Sequence, residues 1–286
     1  MELGPSQLKI FEILRNNFGF NPEINTVIFY NKKIKNNKLT LEELSDILNR
    51  ENSQNSQQHK NEFNIDYFEK KIFSQNGEDG IINFIFSTIG THNKFFVEFG
   101  VKNGTECNTR YLLEKKDWTG LMMDENPNQS KKIKKEFVTP ENINDLLKKY
   151  EVPHKFDLLS IDIDYNDYWV WESIKGFYPR VVVIEYNSSI PPNESKVIEY
   201  DLNDKWDKTN YFGASLLALV KLGKNKGYEL VGCDSNGINA FFIQREIVKG
   251  LIKRTYSQMY KPPQYGQLIN GKHIGHPFSK RKMMEI

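Results

Sequence analysis

"KFFVEFGVKNGTECNT", residues 94–109, is the stretch on which the reading of the chain turns. An apolar run ends in an acid, Glu98, and Gly100 and Gly104 then bracket three residues. A strand that breaks into a glycine loop is where an α/β sheet lets a cofactor approach the backbone, because glycine has no Cβ to hold it off. The GxGxxG spacing that seats a pyrophosphate on a helix N-terminus is absent, and Lys102 stands between the two glycines. An acid at the strand end suits a cofactor with an amine or a sulfonium better than one with a phosphate. An ordinary strand–turn–helix needs glycine too, so the loop alone leaves both readings open.

Around this loop the pattern is regular. Apolar runs at 94–100, 119–124, 136–139, 156–164 and 180–187 read as strands. Stretches at 109–116, 127–136, 142–150, 167–174 and 213–227 read as helices. Strands that are continuously apolar and separated by helices imply a parallel sheet covered on both faces. The alternation ends at "YELVGCD" (228–234) and "NAFFIQRE" (239–246), joined through Asn236-Gly237, a strong hairpin signal. The expected fold is α/β and doubly wound, a mostly parallel seven-stranded sheet with one antiparallel strand. That arrangement is typical of Rossmann-like class I S-adenosylmethionine methyltransferases. Residues 1–50 read as a small helical appendage, with Thr40 and Glu43 in a capping-box pattern. Residues 51–62 read as a polar linker, 63–250 as the sheet domain, and 251–286 as a tail that serves as a lid or a subunit contact.

Bulk properties exclude several classes. A net charge of +2 gives no global attraction to nucleic acid. The one basic cluster, "KKIKK" (131–135), reads as a solvated helix face, so no nucleic-acid partner is expected. No window approaches the roughly 18 apolar residues a membrane span needs. Cys107 and Cys233, the only cysteines, lack metal-type spacing, and a reduced cytoplasmic protein is the simplest reading.

Acids recur at the strand ends. Asp124 ends the second strand, 24 residues after Gly100, where a carboxylate is placed to accept ribose hydroxyls or to cap the next helix. Asn142, with Ile143, is placed to flank an adenine or to cap its own helix. Asp162 and Asp164 end the fourth strand, and Glu185 and Asn187 the fifth. Two residues apart on a strand, each pair is expected on one side. Two chemistries fit. Asp164, Glu185 and Asn187 would hold Mg²⁺ or a similar hard ion that acidifies a substrate hydroxyl. Alternatively, Asp162 touches the methionine part of the cofactor while Asp164 or Glu185 acts as a metal-free general base.

Several motifs together resemble the FkbM-type S-adenosylmethionine-dependent methyltransferases: Ser74-Gln75, Glu98 to Gly104, Asn108-Thr109, Leu113-Glu114, Trp118 to Gly120 and Asp124 to Pro127. The resemblance spans roughly residues 70–245 and departs at Lys102 and at Tyr165, where relatives often have small residues. It implies O-methylation, often of sugars or natural products. It also implies that Gln75, Glu98, Gly100, Gly104, Asn108, Thr109 and Asp162 line the cofactor site. The expected function is therefore S-adenosylmethionine-dependent O-methylation of a sugar, glycan or small-molecule hydroxyl, with Asp164, Glu185 and Asp162 as catalytic residues. A second copy of the chain is a candidate partner. The alternatives are a binding or scaffold protein on the same fold, which Lys102 favours, and a nicotinamide oxidoreductase, which the missing GxGxxG disfavours. His273 and His276, in the tail, are either solvated or a base folded over the acceptor.

Overall fold

The computed structural model describes residues 9–10, 40, 65–127, 132–248, 251 and 254–286. The expected appendage and linker therefore lie outside the described residues, apart from 9, 10 and 40. The chain divides into two units, residues 1–64 with 83–90, and residues 65–82 with 91–286. Helix α1 (Glu78–Ile89) starts in the second unit and ends in the first, where the Ser87 and Thr88 hydroxyls donate to the Phe84 carbonyl.

The second unit holds the sheet. Its strands are β1 (Phe95–Phe99), β2 (Thr119–Asp124), β3 (Ile133–Lys135), β4 (Lys155–Ile161), β5 (Tyr178–Glu185), β7 (Tyr228–Cys233) and β8 (Asn239–Gln244). Their order is β3-β2-β1-β4-β5-β8-β7. All neighbours are parallel except β8, which runs antiparallel to both β5 and β7. The expected seven-stranded sheet with one antiparallel strand is what the chain forms. The order reverses between β1 and β4, which opens a crevice at the carboxyl ends of those strands, the usual ligand position in such sheets. The hairpin turn has Gly237 at φ 74°, as the Asn-Gly signal requires.

Helices α2 (Arg110–Lys115), α3 (Ile143–Lys149), α4 (Asp167–Ser173) and α5 (Leu216–Asn225) connect the strands. Strand β4 is buried from Phe156 onward and β5 from Val181 to Ile184, which explains their continuous apolar runs. Trp171 of α4 is fully buried, with ring centroids 5.1 Å from Phe242 and 6.0 Å from Tyr228.

One expected element is corrected. The stretch 127–136 reads as a helix, but Ile133–Lys135 is the edge strand β3, and 136–139 has no strand. Ile133 is buried beside Met122 while Lys134 and Lys135 are exposed. A short edge strand carrying lysines resists pairing with another chain, and its three residues are too few to show a period of two.

The remainder of the chain returns to the sheet. Strand β6 (Lys196–Val197) pairs with β11 (Met284–Glu285), and β9 (Leu268–Ile269) with β10 (Lys272–His273). Tyr186 donates to the Lys261 carbonyl, and Tyr260 to that of Ser188, which ties the tail to the end of β5. Among the described residues no helix is long and apolar enough to cross a membrane.

The entry to β1 is held by one side chain. Asp157 on β4 is fully buried and accepts the backbone N–H groups of His92, Asn93 and Lys94 at 2.7–2.9 Å, and Arg180 at 2.8 Å. Replacing it with alanine leaves those donors without an acceptor. Asp157→Ala should destabilise the chain by about 3–5 kcal/mol in urea titration.

Candidate active site

The loop after β1 is sewn by two carboxylates. Glu98, buried, accepts the N–H groups of Asn108 (2.8 Å) and Thr109 (3.1 Å), together with the Thr109 and Ser160 hydroxyls. Burial raises its pKa, and these donors pull it back. Glu98, expected at the cofactor's amine, is thus engaged with the loop and the start of α2. Asn108 donates to Ser160 at 3.1 Å and is buried, and Thr109 is fully buried. Asp124 accepts Lys102 N–H on one oxygen and Asn126 N–H on the other, both at 2.7 Å. Each of its oxygens keeps a second lone pair.

Between these carboxylates, Gly100 has φ 77°, and a Cβ there would lie 1.4 Å from the Asp162 carbonyl oxygen. Only glycine fits, because the backbones after β1 and β4 are in contact. Gly104 also has positive φ, and its Cβ would meet Ile133 at 3.1 Å, so it serves packing against β3.

A cavity of about 690 Å³ opens over these strand ends, within the range of small-ligand sites. Gly100, Asp124, Phe137, Asp164 and Trp206 line it, and Lys102 stands at its wall. Phe137 is 49% exposed, a large apolar face turned toward the opening. Asn142, expected beside an adenine, is instead tied to its own turn. It accepts Thr139 N–H and donates to the Phe137 carbonyl, both at 2.8 Å. Phe137 and Val138 line the cavity and Asn142 does not. Gln75 is exposed and does not line the cavity. Its neighbours Ser74 and Asp79 hydrogen-bond each other reciprocally, as capping residues do.

The acids after β4 and β5 do not pair as a strand period predicts. Strand β4 stops at Ile161, and Asp164 has φ 64°, which turns it out of the strand path onto the cavity wall. Strand β5 stops at Glu185. Asn187 is fully buried and donates to the Asn210 and Phe212 carbonyls at 2.8 and 3.0 Å. Its amide oxygen accepts Ser189 N–H. The expected metal set of Asp164, Glu185 and Asn187 is therefore not assembled. Among the described residues no group of three His, Cys, Asp or Glu side chains converges as metal ligands do.

What the register does bring together is Asp162 and Glu185. Ile161 is aligned with Phe99 on one side and Ile184 on the other. One residue further, Gly100, Asp162 and Glu185 form a row across three parallel strands. The two residues thus sit on adjacent strand ends, their backbones about the 4.8 Å strand spacing apart. Burial raises the pKa of both, the charges of Asp164 and Asp167 raise both further, that of Asp162 adds to the rise at Glu185, and the Lys102 charge opposes this. Asp167 joins them, pushed up to about 6 mainly by burial. Such a pair retains a proton at pH values where isolated carboxyls are ionised.

The tail supplies the residue that sequence reading underweights. His276 packs edge-on against Trp206, with centroids 4.6 Å apart, and lies 5.3 Å from Tyr265 and 5.8 Å from Phe212. Burial lowers its pKa and the nearby Asp164 charge opposes this. Gly275 and Pro277, which flank it, were the available signal. His273 is exposed on β10.

The strand order and the crevice define a Rossmann-like fold of the class I methyltransferase type. No family model matches the chain, and neither does any curated protein. Among solved structures, it is similar to the CMeT domain of the citrinin polyketide synthase, at 13% identity and a TM-score of 0.33, over 53% of this chain and 46% of that one. It is also similar to a SAM-dependent methyltransferase from Aquifex aeolicus, at 10% identity and a TM-score of 0.31, over 56% and 87%. The chain thus spans under half the length of the first. The resemblance to FkbM-type enzymes rests on motifs alone.

The raised acids make stability fall as pH rises. A carboxyl whose folded pKa is raised stabilises the fold at low pH, and that contribution is lost as pH climbs through the folded value. Glu185→Gln should therefore melt about 2–4 °C above the parent at pH 8, with the gap closing toward pH 4, in thermal denaturation followed by circular dichroism.

Proposed function

We propose that this chain is an S-adenosylmethionine-dependent methyltransferase acting on a hydroxyl of a small-molecule or glycan acceptor. The observation that carries the reading is the cavity beside Gly100, lined by Asp124, Phe137 and Asp164, at the strand ends that also carry Asp162 and Glu185.

The residues present fit this cofactor. Gly100 lets the methionine end lie close to backbone. Asp124 has lone pairs left for ribose hydroxyls, and Phe137 offers a ring face to adenine. Lys102, whose charge stands near both strand-end acids, is placed to meet the cofactor's carboxylate. When bound, S-adenosylmethionine supplies a methyl group on a sulfonium that departs as a neutral thioether, so the acceptor's proton falls to the protein.

The Asp162–Glu185 pair is suited to receive it. One carboxyl in such a pair ionises while its neighbour stays protonated, and burial raises the basicity of the ionised member. The ionised member accepts the hydroxyl proton, and the protonated member donates a hydrogen bond that orients the acceptor oxygen. No metal is needed for this, and the residues do not fit one. The scaffold alternative predicts a cleft filled by a side chain, whereas the cavity is open and Lys102 stands at its wall.

Isothermal calorimetry tests the reading directly. S-adenosylmethionine and S-adenosylhomocysteine should both bind. Asp124→Ala and Phe137→Ala should each weaken binding by about tenfold or more, the worth of a lost aromatic stack or charge-assisted hydrogen bond. Absence of binding to the parent chain, or unchanged binding in both variants, refutes it.

A further inference from the structure

The methyltransferase reading leaves the acceptor's chemistry open, and the charge distribution at the far end of the cavity bears on it. The charge of Asp164 bears on Asp162, Asp167 and Glu185, and the Lys102 charge opposes the rise at Asp162 and Glu185. Of the other acids on the cavity wall, Asp124 is held by backbone N–H groups, and three more are paired with cations. Glu136 pairs with Lys149, Glu125 with Lys205, and Asp204 with Arg281. Asp164 forms no salt bridge and accepts no hydrogen bond from a described residue. In a chain of net charge +2, this is a local excess of negative charge at the point of chemistry.

A further observation points to a ligand, and it is aromatic. Asp164 and Trp206 line the same cavity, and Trp206 is fixed by its Nε1–H bond to the Thr209 carbonyl at 2.8 Å. Behind it stand Phe212, Tyr265 and His276, and burial keeps the imidazole on the neutral side. A carboxylate beside an indole is the pairing that recognises an ammonium, through an ion pair and the ring's negative face.

We propose that the acceptor is a hydroxylated amine, such as an amino sugar, whose ammonium is held between Asp164 and Trp206 while its hydroxyl meets the Asp162–Glu185 pair. This rests on the methyltransferase reading and adds to it the acceptor's charge. S-adenosylmethionine is itself cationic at sulfur, so the test uses the uncharged thioether product. The full chain, saturated with S-adenosylhomocysteine, is titrated with D-glucosamine against D-glucose and with ethanolamine against ethylene glycol. In at least one pair the amine should bind about tenfold more tightly than the neutral compound. That preference should disappear in Asp164→Asn and shrink in Trp206→Leu. Equal binding within both pairs, or no binding of either amine, overturns the proposal while leaving S-adenosylhomocysteine binding intact. Failure of S-adenosylhomocysteine itself to bind overturns the methyltransferase reading instead.

Discussion

The site depends on one buried carboxylate, Glu98. An ionisable group with almost no exposure is unfavourable unless donors converge on it, and four do. Two are the backbone N–H groups of Asn108 and Thr109, and the others are the Thr109 and Ser160 hydroxyls. Together they fold the ten residues after the acid back over the end of β1. With the loop held there, Gly100 can press against the Asp162 carbonyl, and Lys102 N–H reaches Asp124. Two carboxylates therefore shape the cavity, Asp124 in its wall and Glu98 by holding the loop that borders it. The acid at the strand end is there for the loop's N–H groups rather than for a cofactor amine.

The same contrast sorts the other acids. Asp157, Glu98 and Asp124 accept backbone N–H groups, and each holds a segment in place. Asp162 and Glu185 stand at adjacent strand ends, and burial and neighbouring carboxylates raise both. A fold under selection for stability alone would not place them so, since every unit of raised pKa is stability lost at neutral pH. Acids that hold structure are thus distinguished from Asp162 and Glu185 by the backbone donors that meet them.

Much of this arrangement was legible in the sequence, and its limits have physical causes. Continuous apolar runs and the Asn236-Gly237 turn carried the sheet and its antiparallel strand, because burial on both faces and a tight hairpin leave local signatures. The acids at the ends of β2, β4 and β5 were visible for the same reason. Which of them meet was not. The side-chain period of two holds only while the strand lasts, and β4 and β5 stop at Ile161 and Glu185, so Asp164 and Asn187 escape it. The juxtaposition of Asp162 with Glu185 is a matter of register between strands, which only the assembled sheet sets. Strand β3 was hidden because three residues flanked by lysines show no period, and Asn142 because capping and ligand contact ask for the same side chain.

His276 and Lys102 illustrate the remaining difficulty from opposite directions. His276 reaches the aromatic wall only because Tyr186, Ser188 and Asn210 bind the tail across more than sixty intervening residues. No local pattern encodes a contact of that separation. Lys102 is local but reads as an intruder, since it occupies a left-handed conformation, φ 52°, that glycine would adopt without strain. Strain of that kind, on the order of 1 kcal/mol, persists where the surroundings require a particular side chain. Here the surroundings are two carboxyls whose pKa values its charge holds down. A glycine at this position would relax the loop and leave the Asp162–Glu185 pair without its cation. The residue that least resembles a nucleotide loop is therefore the one whose charge lowers the pKa of both acids.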